Sequence, residues 1–300
     1  MNDPDPHRLG RIAALVQRRR EHTEARRVRR AQLESAVPYL SLVRAPSQIQ
    51  PIPKQLPIDV RVATYNVHRW SGVSGRQAPD ATRAAHVIME LDADVVALQE
   101  VLRPFDGEDP LTALAEAQHL HVAFAVTRMH RRGELGNAIL SRWPITSAFV
   151  LDLSFSRLER RSAVAAEFHL GTRSLTVVAT HLALGDRTRQ RQVRSMLSHP
   201  QLRGPVVLLG DLNAWRRSKA TRALEAELGT HHNDCWPASF PSARPILALD
   251  RIYSRGAPVE TLEVHRSAAA RRASDHLPVI AVLELSRGVQ APSSAVPPAE

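Results

Sequence analysis

The chain has 300 residues, 43% of them hydrophobic, enough for one sizeable core, and a formal net charge of +10 carried almost wholly by arginine, with Lys54 and Lys219 the only lysines. A single cysteine, Cys235, excludes an intrachain disulfide and a cysteine-rich zinc site. No signal-type apolar segment opens the chain, and no uncharged run approaches the roughly 18 residues of a membrane span, so the expected location is the cytoplasm.

Residues 1–57 read as a basic, partly helical arm and a Pro-rich linker. Ten arginines stand against five acids through residue 50, and Pro46, Pro51, Pro53 and Pro57 mark the linker. The arm is either simply solvated or a contact for a polyanion or an anionic membrane surface. Residues 58–286 read as one α/β unit. Strands are expected at 60–66, 94–100, 135–141, 162–170, 174–181, 206–211, 247–254 and 276–285. Helices are expected at 81–91, 111–120, 187–198 and 218–228, the last stopping at Gly229. Only a short turn separates 162–170 from 174–181, so those strands are antiparallel and the sheet structure is mixed. Residues 287–300, rich in Pro, Ser and Ala, read as a disordered tail.

Chemistry-bearing side chains sit where apolar strands run out. Glu100 follows Val95-Val96-Ala97-Leu98-Gln99, a costly place for a carboxylate unless a cation accompanies it. Asn66 ends Val60 to Tyr65 and can offer an oxygen or an N–H. Asp211 and Asn213 follow Val206-Val207-Leu208-Leu209-Gly210; a helix N-cap is the competing reading for such a pair. Asp275-His276 precedes Leu277-Pro278-Val279-Ile280 and supplies an imidazole with a useful pKa. Asp250 can orient that imidazole or pair with an arginine such as Arg251. His181 ends Val177 to Thr180, where it either meets a phosphoryl oxygen or is a structural histidine. Arg161 is a candidate phosphate clamp. Trp215, with Arg216, either lines a cleft or packs under a loop.

In order, Tyr65-Asn66-Val67, Leu98-Gln99-Glu100, Gly136-Asn137-Ala138-Ile139-Leu140-Ser141-Arg142, Thr180-His181-Leu182, Gly210-Asp211-Leu212-Asn213 and Ser274-Asp275-His276 resemble the motif set of the endonuclease/exonuclease/phosphatase superfamily, the deoxyribonuclease I-like proteins. The resemblance covers residues 59–286. It implies a four-layer sandwich, two packed mixed β-sheets flanked by helices. It also implies a magnesium ion, with manganese as the alternative, on Glu100, Asn66 and Asp275. By the same resemblance Asp211 and Asn213 position the water and the phosphate, Asp250 and His276 form the acid/base unit, and His181 meets the scissile phosphate. Asn66, Asn137, Arg161 and Trp215 would contact substrate. The apurinic endonucleases have a Tyr before the Gly136–Ser141 strand and lack Thr-His-Leu. Here Gly133-Glu134-Leu135 and Thr180-His181-Leu182 stand instead, so the chain looks most like the compact bacterial members of the other branch.

The expected function is metal-dependent hydrolysis of phosphodiester bonds, with nucleic acid favoured as substrate. The alternatives are a phospholipid or small head-group phosphodiesterase or phosphatase at a membrane surface, and an inactive phosphate-binding module. The intact set of site residues argues against the last. The sequence does not define an oligomeric state.

Overall fold

The computed structural model describes residues 17, 21, 23, 24, 37–49, 51, 57–155, 159–170, 173–229 and 236–285. The chain divides into residues 1–37 and residues 38–300. In the first unit the described Gln17, Glu21, Thr23 and Glu24 are helical, and the Gln17 amide donates to Glu21 at 2.9 Å. The other residues of 1–36, together with 50, 52–56, Cys235 and the 287–300 tail, lie outside the described residues.

The second unit is built on two mixed sheets. The larger has seven strands: β1 (Tyr39–Arg44), β2 (Asp59–Asn66), β3 (Val95–Pro104), β4 (His121–His130), β5 (Gly133–Ser141), β11 (Val259–Val264) and β12 (Val279–Glu284), in the order β1-β4-β5-β3-β2-β12-β11. The smaller has β6 (Ser147–Asp152), β7 (Ser162–Leu170), β8 (Arg173–His181), β9 (Val206–Asp211) and β10 (Asp250–Arg255), in the order β10-β9-β8-β7-β6. The β2–β3 and β8–β9 pairs are parallel and the others antiparallel, so both sheets are mixed as expected. Residues 39–44, which the sequence places in the arm, form an edge strand paired with β4.

Alternating side chains make the sandwich. Val60, Val62, Val95, Ala97 and Ile139 of the large sheet meet Val164, Phe168, Val177, Val207 and Leu209 of the small one in a core closed to water. The opposite face of the small sheet carries Ala163, Ala165, Val178 and Leu208. It is covered by α3 (Asp186–Leu197), through Val193 and Met196, and by α4 (Lys219–Leu228), through Ala220, Leu224 and Leu228. On the large sheet's side, α1 (Ala81–Leu91) buries Ala84, Val87, Ile88 and Leu91, and α2 (Pro110–Ala117) packs on β3 and β4. Helices, sheet, sheet, helices: this is the four-layer sandwich expected.

The helices begin where local chemistry satisfies free N–H groups. Asp80 accepts from Thr82 N at 2.9 Å ahead of α1, and Asp109 from Leu111 N at 3.1 Å ahead of α2. A reciprocal Ser218–Thr221 box opens α4. No helix among the described residues is long and apolar enough to cross a membrane.

Candidate active site

Parallel and antiparallel register sets the first half of the site. His181 ends β8 opposite Asp211, the end of β9, and Asp211 in turn pairs with Asp250, the start of β10. Three polar residues thus line one edge of the small sheet. β8 and β9 approach closely because residue 210 is glycine; a Cβ there would lie 1.8 Å from Thr180 O. Asn213 follows in the left-handed region (φ +50°), its N–H on Asp211 Oδ1 at 3.0 Å and its amide donating to Leu182 O at 2.9 Å.

Asp211 Oδ2 is the meeting point. Asn66 Nδ2, from the large sheet, donates to it at 3.1 Å; His181 Nε2 is 3.4 Å away and His276 Nε2 3.7 Å. Behind His276, its Nδ1 is 2.8 Å from Asp250 Oδ2, which also accepts from Ser239 Oγ at 2.5 Å. Asp250 is fully buried and its Oδ1 has no partner among the described residues. The competing pairing of Asp250 with Arg251 does not occur: the Arg251 guanidinium donates to Ala214 O and Ala248 O. Burial alone would lower the His276 imidazole, but the Asp250 and Asp211 carboxylates outweigh it and push it up to about 10. Burial, reinforced by the Arg161 charge, holds His181 down to about 3 despite Asp211. The site therefore pairs one charged imidazole with one neutral imidazole across a single carboxylate.

The second half lies at the adjoining edge of the large sheet. β3 slips register against β5 between Leu98 and Val101, and Glu100 within that bulge has φ +53°. Asp275 precedes His276 on the loop into β12, and the hydroxyl of Ser274 ties that loop to Asn66 O at 2.6 Å. Burial raises the Asp275 carboxyl, with Glu100 adding to the rise and His276 and His68 opposing it. His68 and Arg69 were not foreseen from sequence. With Trp70 they form a one-turn 3₁₀ segment whose three residues all have positive φ (45°, 57° and 60°). His68 Nδ1 lies 3.2 Å from Asp275 Oδ1, and Arg69 Nε 3.7 Å from Glu100 Oε2. Their closeness to the Asn66 motif was the only signal in the sequence.

Two donor sets could hold a cation. Glu100 and Asp275 supply hard oxygens, and each carboxylate faces a side chain of the 3₁₀ turn; Asn66 Oδ1, the third donor, accepts from His68 N at 3.0 Å. This donor chemistry fits a divalent ion of the magnesium kind. Asp211, Asp250 and His276 also offer donor atoms within 4.8 Å of one another. There, however, the His276–Asp250 hydrogen bond already engages Nδ1 and one carboxylate oxygen.

Both halves open into a cleft of about 470 Å³. Asn66, Glu100, His181, Asp211, Asn213 and His276 line it together with Arg128 and Arg161, and the exposed Leu184 and Trp215 stand at its rim. Trp215 is 66% exposed, so it does not pack under a loop. Arg161 pairs with Glu159 at 3.3 Å through one terminal nitrogen. Asn137 is buried beside Glu100 and His181, its amide donating to Ser162 O at 2.9 Å. The structure thus gathers every residue expected at the site into one region. Arg128, on β4, carried no signal in the sequence.

A two-sheet α/β sandwich with an acid- and histidine-lined cleft at the strand ends is the architecture of a class of phosphate-ester hydrolases. Residues 63–276 match the Endonuclease/Exonuclease/phosphatase family, and the chain belongs to it. The uncharacterized protein YbhP of Escherichia coli is 28% identical over 247 residues, covering 75% of this chain and 96% of that protein. The crystal structure of an endonuclease/exonuclease/phosphatase from Beutenbergia cavernae is 27% identical, with a TM-score of 0.61 over 76% of this chain and 72% of its own. Another from Bacteroides vulgatus, 20% identical, superposes with the same TM-score over 76% of this chain and 99% of its own, a likeness of fold. Members of the family are hydrolases acting on phosphate esters.

Proposed function

We propose that the protein is a magnesium-dependent phosphodiesterase, manganese being the alternative ion, with nucleic acid as the favoured substrate. The observation that carries the reading is the convergence on Asp211 Oδ2 of Asn66, His181 and His276, the last backed by buried Asp250. Hydrolysis of a phosphodiester needs an aligned water, an acceptor for its proton and compensation of charge on the phosphoryl oxygens. Asp211 takes the water's proton with the charged His276 ring beside it, Nε2 at 3.7 Å, and Asp250 holds that ring in place. Asn213 keeps Asp211 in its rotamer and, with Asn66, orients the phosphate. His181 meets a phosphoryl oxygen, Arg161 clamps a phosphate of the substrate, and Asn137 supports that wall. Glu100, Asp275 and Asn66 hold the ion, which when bound withdraws charge from the phosphoryl oxygen.

The test is hydrolysis of bis-p-nitrophenyl phosphate. Magnesium-dependent turnover is expected, falling by ~10³ or more in Asp211→Ala and His276→Ala. Full activity in either variant overturns the assignment. Calorimetric titration with magnesium gives a readout free of turnover, with binding weakened about tenfold or more in Glu100→Gln.

Nucleic acid is favoured because the net charge is +10 and arginines line the same cleft as an exposed tryptophan. The apolar rim of Leu184 and Trp215, 62% and 66% exposed, supports the second reading, a head-group diester presented at an anionic membrane. A panel of single-stranded DNA, RNA, anionic phospholipid vesicles and phosphorylated sugars separates the two by which substrate is cleaved fastest.

A further inference from the structure

Arg128 and Arg161 stand beside His181 but are not part of the Asp211–His276–Asp250 chain. They come from different sheets: Arg128 from β4, at a register slip between Val126 and Arg128, and Arg161 from the residue before β7. Their neighbours in sequence are joined across the sandwich. Thr127 Oγ1 and Ser162 Oγ are 2.5 Å apart, and Ser162 O accepts from Asn137 Nδ2 at 2.9 Å and from Thr180 Oγ1 at 3.3 Å. All four of these residues are buried. The cluster therefore fixes where the two arginines leave the backbone, and both line the same small cavity as Glu100 and His181.

Holding two guanidinium groups together costs repulsion, which grows as water is excluded. The Arg128 side chain is exposed, yet the protein around it still lowers its pKa by desolvation, opposed by Glu100 and reinforced by the charges of Arg161 and Arg69. Among the described residues the Arg128 side chain has no hydrogen bond or ion pair. Arg161 Nε is buried without a partner, while one terminal nitrogen reaches the partly exposed Glu159. Glu100 does not settle the imbalance, because it already faces Arg69. The Arg128 side chain and Arg161 Nε thus keep N–H donors that no carboxylate among the described residues engages.

We propose that Arg128 and Arg161 form a second anion subsite, which takes a phosphate group neighbouring the one that is cleaved, so that the preferred substrate carries two phosphates in succession. The proposal rests on the phosphodiesterase reading and adds the substrate's second charge. Two guanidinium forks suit phosphate because each can present paired N–H donors.

The experiment compares three thymidine dinucleotides: one with a terminal 5′-phosphate, one with a terminal 3′-phosphate and one with neither. One phosphorylated form is expected to be cleaved with a kcat/KM about tenfold above the unphosphorylated one. Arg128→Gln is expected to erase that ratio, and Arg128→Lys, which keeps the charge without the fork, to restore part of it. Bis-p-nitrophenyl phosphate, which has no second phosphate, reports the reaction separately. Equal kcat/KM for all three dinucleotides in the unmodified protein, or an undiminished ratio in both Arg128→Gln and Arg161→Gln, overturns the subsite while leaving the reaction intact. Equilibrium binding of the same dinucleotides in EDTA repeats the comparison without turnover. About tenfold tighter binding of a phosphorylated form supports the subsite even if the reaction fails, and equal binding overturns it. Melting curves check that the variants fold.

Discussion

Glu100 is held at φ +53°, where a side chain on an L-residue costs roughly 1–2 kcal/mol that glycine does not pay. Its 3.7 Å contact with Arg69 is partly exposed and returns less than that. Glu100→Gly is therefore expected to raise the free energy of unfolding by about 1 kcal/mol while magnesium-dependent hydrolysis is lost. Denaturant titration checks the first part, and a lowered midpoint would show that the bulge stores no strain. The residues that were legible share a cause: Asn66, Glu100, His181 and Asp211 each sit where an apolar strand gives way to a polar side chain, a pattern visible in one dimension. His68, Arg69, Arg128 and Ser239 were not legible because each acts through a partner far away in sequence or through an unusual backbone angle. Arg128 is one of many arginines, and only the Thr127–Ser162 bond shows why it stands beside Arg161.

At the level of elements, the β8–β9 pair is the most constrained part of the site. A methyl group on residue 210 would overlap Thr180 O at 1.8 Å, so Gly210→Ala must move one strand. The expected cost is about 3 kcal/mol or more, with activity lost because Asp211 moves with β9. Thermal melting together with hydrolysis of the generic diester measures both; an unchanged melting temperature would show that the sheet yields freely. The buried strands β2, β3, β5, β7, β8 and β9 were readable from their continuous Val, Leu and Ala runs. Three of the strands that were not, β1, β6 and β11, are sheet edges whose faces are partly exposed, so their apolar pattern is diluted; β11 carries Glu260 and Glu263. The fourth, β4, lies inside the sheet, but its Val126–Arg128 slip breaks the alternation and a run of basic residues closes it.

For the molecule as a whole, the stacking of two mixed sheets followed from strand spacing only in part. The mixed character came from the short turn between β7 and β8, whereas the four-layer arrangement came from the motif set. The Asn66–Asp211 hydrogen bond shows what stacking accomplishes: it joins residues 145 positions apart, one on each sheet. Neither sheet carries all of the proposed site by itself. This gives the protein an internal clock. Hairpins such as β4–β5 and β7–β8 close over short loops, while the Asn66–Asp211 contact must wait for long-range closure. After dilution from denaturant, the far-ultraviolet circular dichroism signal is expected to recover before hydrolysis of the generic diester returns. The interval between the two would time the docking of one sheet on the other, and simultaneous recovery would mean that the sheets form only in each other's presence.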